Sequence, residues 1–277
     1  MAKGIGLIGN FKGKVGNMVG YKLTASNSGN TQGVRVYQPI VKNPKTSAQA
    51  EQRAKLAPIN ATYRALKMVI DRGNEGLPYG NKSRLAWLKQ AFKADNMPWI
   101  EKGKTVNAPV LCLLTKGSLP GIEAGTSGTY ITISASGVTS ATPVSTIGGV
   151  SSAFLSAFNF LKEGDQLTFV AVSKSSNGIA SSIYSIVIDS TSTAAATAFT
   201  CDEDEIQIQL DVDAFAAAVI VSRMGDNGEH LRSTSYLDTE NDVSTSAPYD
   251  ATSKTAAIES YMSSAAVNAD WAEESIQ

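Results

Sequence analysis

Three glycines near the start of the sequence match a dinucleotide-binding fingerprint. Gly4, Gly6 and Gly9 have the spacing Gly-x-Gly-x-x-Gly. That motif binds phosphate only where a strand precedes the glycines and a helix follows them, because the phosphate must meet the helix N-terminus. Only three residues precede Gly4, and further glycines follow Gly9. We therefore predict that the match is accidental and that the chain binds no cofactor.

The side chains that most often carry catalysis are few and scattered. The single histidine, His230, is predicted on a hairpin strand, with no nucleophile or carboxylate arranged around it. Cys112 is flanked by leucines, so we expect a buried thiol, and Cys201 lies beside carboxylates that raise a thiol pKa. Two cysteines cannot by themselves form a disulfide framework or a four-ligand zinc site. We predict that the protein is not an enzyme.

An acidic run offers the best candidate ligands for a hard cation. Residues 202–205 are all Asp or Glu, and Asp211 and Asp213 follow them. However, the calcium-loop spacing, with its central Gly and terminal Glu, is missing. We therefore predict a solvated acidic loop and no metal site.

Charge is distributed very unevenly along the chain. Residues 1–105 carry 18 Lys and Arg against 5 Asp and Glu, whereas residues 106–277 carry 6 against 20. Such asymmetry indicates an electrostatic partner. Three interpretations remain open. The basic part binds nucleic-acid phosphates, it docks on the acidic part of another copy, or it is a solvated surface.

The basic part is predicted to consist of a glycine-rich arm, residues 1–45, and a helical segment, residues 46–105. Glycine costs much backbone entropy to order, so the arm is not expected to fold alone. Thr46 and Gln49 form a capping box at a helix start, and Pro58 is expected to stop or kink that helix. The residues predicted to contact a partner are Lys3, Lys12, Lys14, Lys22, Arg35, Lys42, Lys45, Arg53, Lys55, Arg64, Lys82, Arg84, Lys89 and Lys93.

The rest of the sequence is rich in predicted strands. Asn177-Gly178 and Gly225-Asp226-Asn227-Gly228 are typical of hairpin turns. Ile206, Ile208 and Leu210 alternate with glutamines, which predicts a strand with one buried face. No window of eighteen apolar residues occurs, so no membrane-spanning helix is expected, and the first residues lack a secretory signal.

These patterns predict an α+β fold that is mostly β. We expect the basic arm and short helices, then one or two small antiparallel β-sandwich domains of Ig-like or fibronectin-like kind, and a C-terminal helix. A stretch rich in Ser, Thr and Ala, residues 190–198, predicts the boundary between the two β domains. The predicted divisions are therefore 106–190 for the first β domain, 199–250 for the second, and 251–277 for a helical tail.

Four stretches of the sequence resemble a known family. Residues 6–21, Gly-Leu-Ile-Gly-Asn-Phe-Lys-Gly-Lys-Val-Gly-Asn-Met-Val-Gly-Tyr, resemble the opening of an uncharacterised protein family encoded by Bacteroidota and their phages. Arg35 with the Thr46 to Gln49 helix start, residues 115–121 and residues 233–237 resemble later parts of that family. Two departures are Asn10, where the family usually has Pro, and Asp238, where it tends to have Gly.

The resemblance implies no activity and no catalytic residues, and it favours a structural role in a phage particle. We therefore expect a non-enzymatic virion structural or assembly protein, made in the bacterial cytoplasm and located in the virion. Its expected partners are other virion proteins or copies of itself. One alternative is a nucleic-acid-binding or packaging protein that binds DNA through the basic N-terminal third. The other is a surface or secreted binding module that uses the β region.

Overall fold

The computed structural model describes residues 13–15, 17–23, 31–36, 46–239 and 242–263, and the chain divides into two compact units, 1–45 and 46–277. In the first unit, the described strands are β1 (Gly13–Val15), β2 (Met18–Leu23) and β3 (Thr31–Val36). They form an antiparallel meander in the order β1-β2-β3. The described part of the basic segment, residues 1–45, therefore contains three strands that are paired with one another.

The described helices all belong to the second unit. They are α1 (Ser47–Ala65), α2 (Lys67–Ile70), α3 (Asn81–Ala91), α4 (Ile147–Ala157) and α5 (Ala251–Ser263). Only half of the predicted capping box is present: the Thr46 hydroxyl accepts a hydrogen bond from the Gln49 amide, whereas Gln49 Oε1 is buried without a hydrogen-bond partner among the described residues. Helix α1 continues through Pro58, so of the predicted stop or kink at this residue the stop is wrong. Pro58 and Ile59 are buried, and this packing outweighs the single backbone hydrogen bond that proline removes.

The strands of the second unit form two four-stranded sheets and one two-stranded sheet. The strands are β4 (Leu113–Thr115), β5 (Gly125–Ser127), β6 (Tyr130–Ser134), β7 (Gln166–Ser175), β8 (Gly178–Val187), β9 (Phe199–Asp202), β10 (Glu205–Gln209), β11 (Ala216–Met224), β12 (His230–Arg232) and β13 (Ser235–Tyr236). The sheet orders are β5-β6-β10-β9, β12-β11-β7-β8 and β13-β4. All these strand pairs are antiparallel, so the coarse α+β prediction is confirmed.

The predicted division into two successive β domains is wrong. Strands β7 and β8 come from the predicted first domain, and they share a sheet with β11 and β12 from the predicted second domain. Strands β5 and β6 likewise pair with β10 and β9. The stretch expected to be the boundary is built into the fold, because Ala196 is buried and Ala195 bridges to Thr146. The helical segment also belongs to the same compact unit, residues 46–277.

The sheet β12-β11-β7-β8 is buried on both faces in its middle. Val170 and Val172 belong to one hydrophobic cluster, which includes residues of α1, α2 and α3. Leu167 and Phe169 belong to a second cluster, which includes α4 and the sheet β5-β6-β10-β9. The first side is here called the helix face and the second the paired-sheet face. A strand covered on both sides needs a continuous apolar run, and β11 has one from Ala216 to Val221.

Candidate interaction surface

The basic residues predicted to contact a partner fall into three groups. Lys3, Lys12, Lys42 and Lys45 lie outside the described residues. Lys14, Lys22 and Arg35 belong to β1, β2 and β3, where Lys14 is opposite Val19 and Val19 is opposite Arg35 in the register. The remaining residues are on or next to α1 and α3: Arg53, Lys55, Arg64, Lys82, Arg84, Lys89 and Lys93.

Five of the basic residues at the two helices are exposed, namely Arg53, Arg64, Lys82, Lys89 and Lys93. Among the described residues, none of the five has an ion pair. Helical geometry places Arg53 and Arg64 on one side of α1. It places Lys82 and Lys89 on one side of α3 for the same reason. These guanidinium and ammonium groups are free to bind carboxylates or phosphates of a partner.

Lys55 is instead used inside the fold. Its ammonium lies 5.7 Å from the centre of the Trp99 ring, and that of Lys254 lies 5.0 Å from the same ring. Glu51 is 3.2 Å from Lys55 and 3.4 Å from Lys254. The hydrogen bond from Lys55, together with the nearby ammonium charges, lowers the pKa of Glu51 against the opposing effect of burial. This cluster ties α1 to α5, so the main role of Lys55 is a structural contact within the fold.

Arg84 is also engaged within the molecule. Its guanidinium carbon lies 4.6 Å from the centre of the Tyr63 ring, a cation–π contact between α3 and α1. The Tyr63 hydroxyl donates a 2.8 Å hydrogen bond to Asp71, and Lys67 donates another to that carboxylate. Burial raises the pKa of Asp71, but these hydrogen bonds outweigh it and the pKa is lowered overall. A charged Asp71, next to the end of α2, therefore links α2 to α1.

A bidentate ion pair in the second unit was not predicted from the sequence. Arg223 donates to both carboxylate oxygens of Asp165, at 2.7 and 2.6 Å, and to the carbonyl of Phe160 at 2.6 Å. The Asp165 side chain is only 1% exposed. Asp165 also accepts a hydrogen bond from the Lys162 amide. This bidentate pair fixes the loop before β7 to β11.

A second carboxylate, Glu75, joins three distant segments. It accepts hydrogen bonds from the backbone amides of Ser118 and Arg232, at 2.9 and 3.0 Å, and from the Ser118 hydroxyl. Burial opposes the charge, yet these donors lower the pKa of Glu75 overall. Gly117 is required here, because an added Cβ would lie 2.0 Å from the Arg232 carbonyl oxygen. Glu75 therefore has a structural role, because it holds residues 118 and 232 against its own segment.

The side chains considered for catalysis remain apart. His230 is exposed and lies beside the Tyr79 ring, with a centroid distance of 6.2 Å. Burial raises the pKa of the Cys112 thiol to about 12, and burial also raises the pKa of Cys201. Both thiols are therefore poor nucleophiles near neutral pH. The glycines of the nucleotide-binding match, Gly4, Gly6 and Gly9, lie outside the described residues.

The acidic run forms a tight turn between β9 and β10. Asp202 pairs with Glu205, and Asp204 has a positive φ of 54°. The Asp204 carboxylate accepts a 2.7 Å hydrogen bond from the Gly137 amide, which anchors a neighbouring loop. Within the described part of the chain, no group of three or more His, Cys, Asp or Glu side chains is placed to hold a metal ion.

Comparisons with protein-family models, curated proteins and solved structures found no match to this chain. Of the helices that the structure describes, none is both long enough and apolar enough to cross a bilayer. The surface that the described geometry offers in the second unit is therefore a set of exposed basic side chains on and next to α1 and α3. The first unit is basic by composition.

Proposed function

We propose that this chain is a non-enzymatic structural or assembly protein of a phage particle. The observation that carries the proposal is the charge difference between the two compact units. Residues 1–45 contain 7 Lys and Arg and no acidic residue, whereas residues 46–277 contain 17 against 25 Asp and Glu. A basic segment on one copy and an acidic body on the next favour head-to-tail contacts and fix their register.

Two further observations support this proposal. The titratable groups of the second unit that have clear partners, such as Asp165, Glu75 and Asp71, bind other parts of the same fold. The resemblance of residues 6–21 to a family encoded by Bacteroidota and their phages is the reason for proposing a phage particle as the assembly. A particle lattice offers a repeated surface that a basic segment can bind at many equivalent positions.

Mass spectrometry of particles purified from a host that carries the gene tests the proposal. We expect the chain at a fixed copy number relative to the main shell protein, retained after salt washing and nuclease treatment. Its absence from particles would overturn the proposal. The matched comparison uses two variants, Lys12→Glu with Lys14→Glu in the basic segment and Lys82→Glu with Lys89→Glu on α3. Incorporation should fall for the first pair and stay closer to wild type for the second.

Nucleic-acid binding is a separate candidate, favoured by Arg53, Arg64 and Lys89, which are exposed and form no ion pair with any described residue. It predicts that the full chain binds duplex or single-stranded DNA, with an affinity that falls steeply as salt rises because bound counterions are released. DNA affinity measured at several salt concentrations between about 50 and 200 mM tests the nucleic-acid candidate, because the affinity of a phosphate-binding protein falls steeply over that range. If the chain is found in particles and the purified protein does not bind DNA, the structural role alone is supported.

A further inference from the structure

Strand β8 is the longest edge strand of the two four-stranded sheets, and no described strand pairs with its outer side. It runs for 10 residues, whereas the other edge strands of the two four-stranded sheets, β5, β9 and β12, have 3, 4 and 3. Residues 178–188 contain no charged residue and no proline. Proteins usually block an exposed edge with lysine, proline, a bulge or a covering segment, because an open edge pairs with another chain. None of the described residues forms a strand beside the outer side of β8.

The hairpin register shows which backbone groups of β8 point outward. Ser175 is opposite Gly178, and the amide of Ile188 donates to the Asp165 carbonyl at 2.7 Å. In an antiparallel pair, hydrogen-bonded positions alternate along the strand. Even-numbered residues of β8 therefore bond to β7. The N–H and C=O groups of residues 179, 181, 183, 185 and 187 point away from the sheet.

We propose that β8 is a self-association site, at which β8 of a second copy of this chain pairs antiparallel about a two-fold axis at Ile183. In that register, Ile183 is opposite its symmetry mate and residue 179 is opposite residue 187. The exposed apolar side chains of Ile183 and Val187, which are 38% and 53% exposed, then contact the second copy. The product is one continuous eight-stranded sheet with no β8 edge left open.

Charge at the two ends of β8 favours a second copy as the occupant. Arg64 is exposed and lines the same cleft as Gly178 and Ile179, at the start of the strand. Asp189 follows the end of the strand, and the Glu163 carboxylate accepts a 3.2 Å hydrogen bond from the adjacent Ser190 amide. Antiparallel self-pairing brings the start of each strand to the end of the other. It therefore places two Arg64 guanidinium groups near two acidic ends.

Sedimentation velocity of the full-length protein tests this inference. We expect a dimer at micromolar concentration and a monomer for Ile183→Lys, which sets two like charges opposite each other on the axis. The matched control is Val212→Lys, since Val212 is an apolar residue of similar exposure, 47%, outside the strands. Val212→Lys should remain a dimer. A wild-type monomer, or a dimer that persists in Ile183→Lys, would overturn the inference.

A charge exchange keeps the inference testable if Ile183→Lys misfolds. Arg64→Glu alone should weaken the dimer by about tenfold, because the proposed contact between Arg64 of one copy and Glu163 of the other occurs twice, and each charge reversal adds repulsion. Adding Glu163→Lys should restore most of that loss, and failure of the restoration would count against the antiparallel register. Lys12→Glu with Lys14→Glu separates this inference from the head-to-tail contact of the proposed function. If that variant were a monomer while Ile183→Lys remained a dimer, the basic segment would hold the copies together, and self-pairing of β8 would be wrong whatever the result with particles.

Discussion

The two faces of the sheet β12-β11-β7-β8 are held by different kinds of contact. On the helix face, buried hydroxyls bond to backbone: Thr62 accepts from the Val110 amide at 2.9 Å, and Tyr249 donates to the Pro109 carbonyl at 2.7 Å. On the paired-sheet face, aromatic rings meet, with Phe169 lying 5.9 Å from Phe154 and 5.8 Å from Phe199. Two sheets satisfy their own backbone groups, whereas helix ends and loops need side-chain partners. The helix face therefore depends on buried hydroxyl groups as well as on apolar packing, whereas aromatic and aliphatic packing dominates the paired-sheet face.

The largest effect is expected for Phe154→Ala on the paired-sheet face. Phe154 is fully buried and contacts Phe158 and Phe169, so truncation leaves a cavity and removes two ring contacts. We expect the free energy of unfolding to fall by about 3–5 kcal/mol. Urea unfolding followed by circular dichroism measures it, with Met224→Ala, at an exposed side chain, as the control. A loss of less than about 1 kcal/mol would mean that this face is loosely packed.

The next largest loss of stability is expected at the ion pair between Asp165 and Arg223, at the edge of the paired-sheet face. Asp165→Asn keeps the shape but leaves the Arg223 guanidinium without its charged partner, so we expect a loss of about 3 kcal/mol. Replacing both residues, with Asp165→Leu and Arg223→Met, should recover part of that loss, because no charge then remains buried. Urea unfolding of the two variants beside wild type measures both. A double variant less stable than Asp165→Asn would show that the Phe160 and Lys162 contacts matter more than the pair.

On the helix face, the most informative change is Thr62→Val. The side chain keeps its volume, but the buried Val110 amide loses its acceptor, which costs about 1–3 kcal/mol. Thr62→Ser retains the hydroxyl and should retain most of the stability. Fluorescence of Trp87 and Trp99, both in the helix-face cluster, follows this unfolding directly. Equal stability of Thr62→Val and Thr62→Ser would remove the distinction between the two faces.

Features set by neighbouring residues could be predicted from the sequence. The alternation of Ile206 and Ile208 with glutamines places both isoleucines in the core, as found. The hairpin signal at residues 225–228 also lies between two paired strands, β11 and β12. In each case the determining contacts lie within a few residues, so a local pattern is sufficient.

Features set by distant residues could not be predicted in this way. The exchange of strands between the two sheets, and the pairing of Asp165 with Arg223, join segments far apart in the sequence. Helix α4 was also missed, because Gly148 and Gly149 are poor helix formers. Both are needed for close approach, since an added Cβ would lie 2.6 Å from the Ser192 carbonyl oxygen and 1.9 Å from that of Pro143. The engagement of Lys55 and Arg84 by aromatic rings is likewise a tertiary effect.

The smallest effect compares the two threonine caps, one on each side of the sheet. Thr146 accepts a 3.2 Å hydrogen bond from the Gly149 amide at the start of α4 and is half-buried, whereas Thr46 accepts at 3.4 Å at the start of α1 and is exposed. Water replaces an exposed cap more readily, so Thr146→Ala should cost about 1 kcal/mol and Thr46→Ala roughly half of that. Thr→Ser at each site is the control, and urea unfolding measures all four variants. A larger loss of stability at Thr46 than at Thr146 would contradict this expectation. It would mean that the start of α1, on the helix face, is more constrained than the start of α4, on the paired-sheet face.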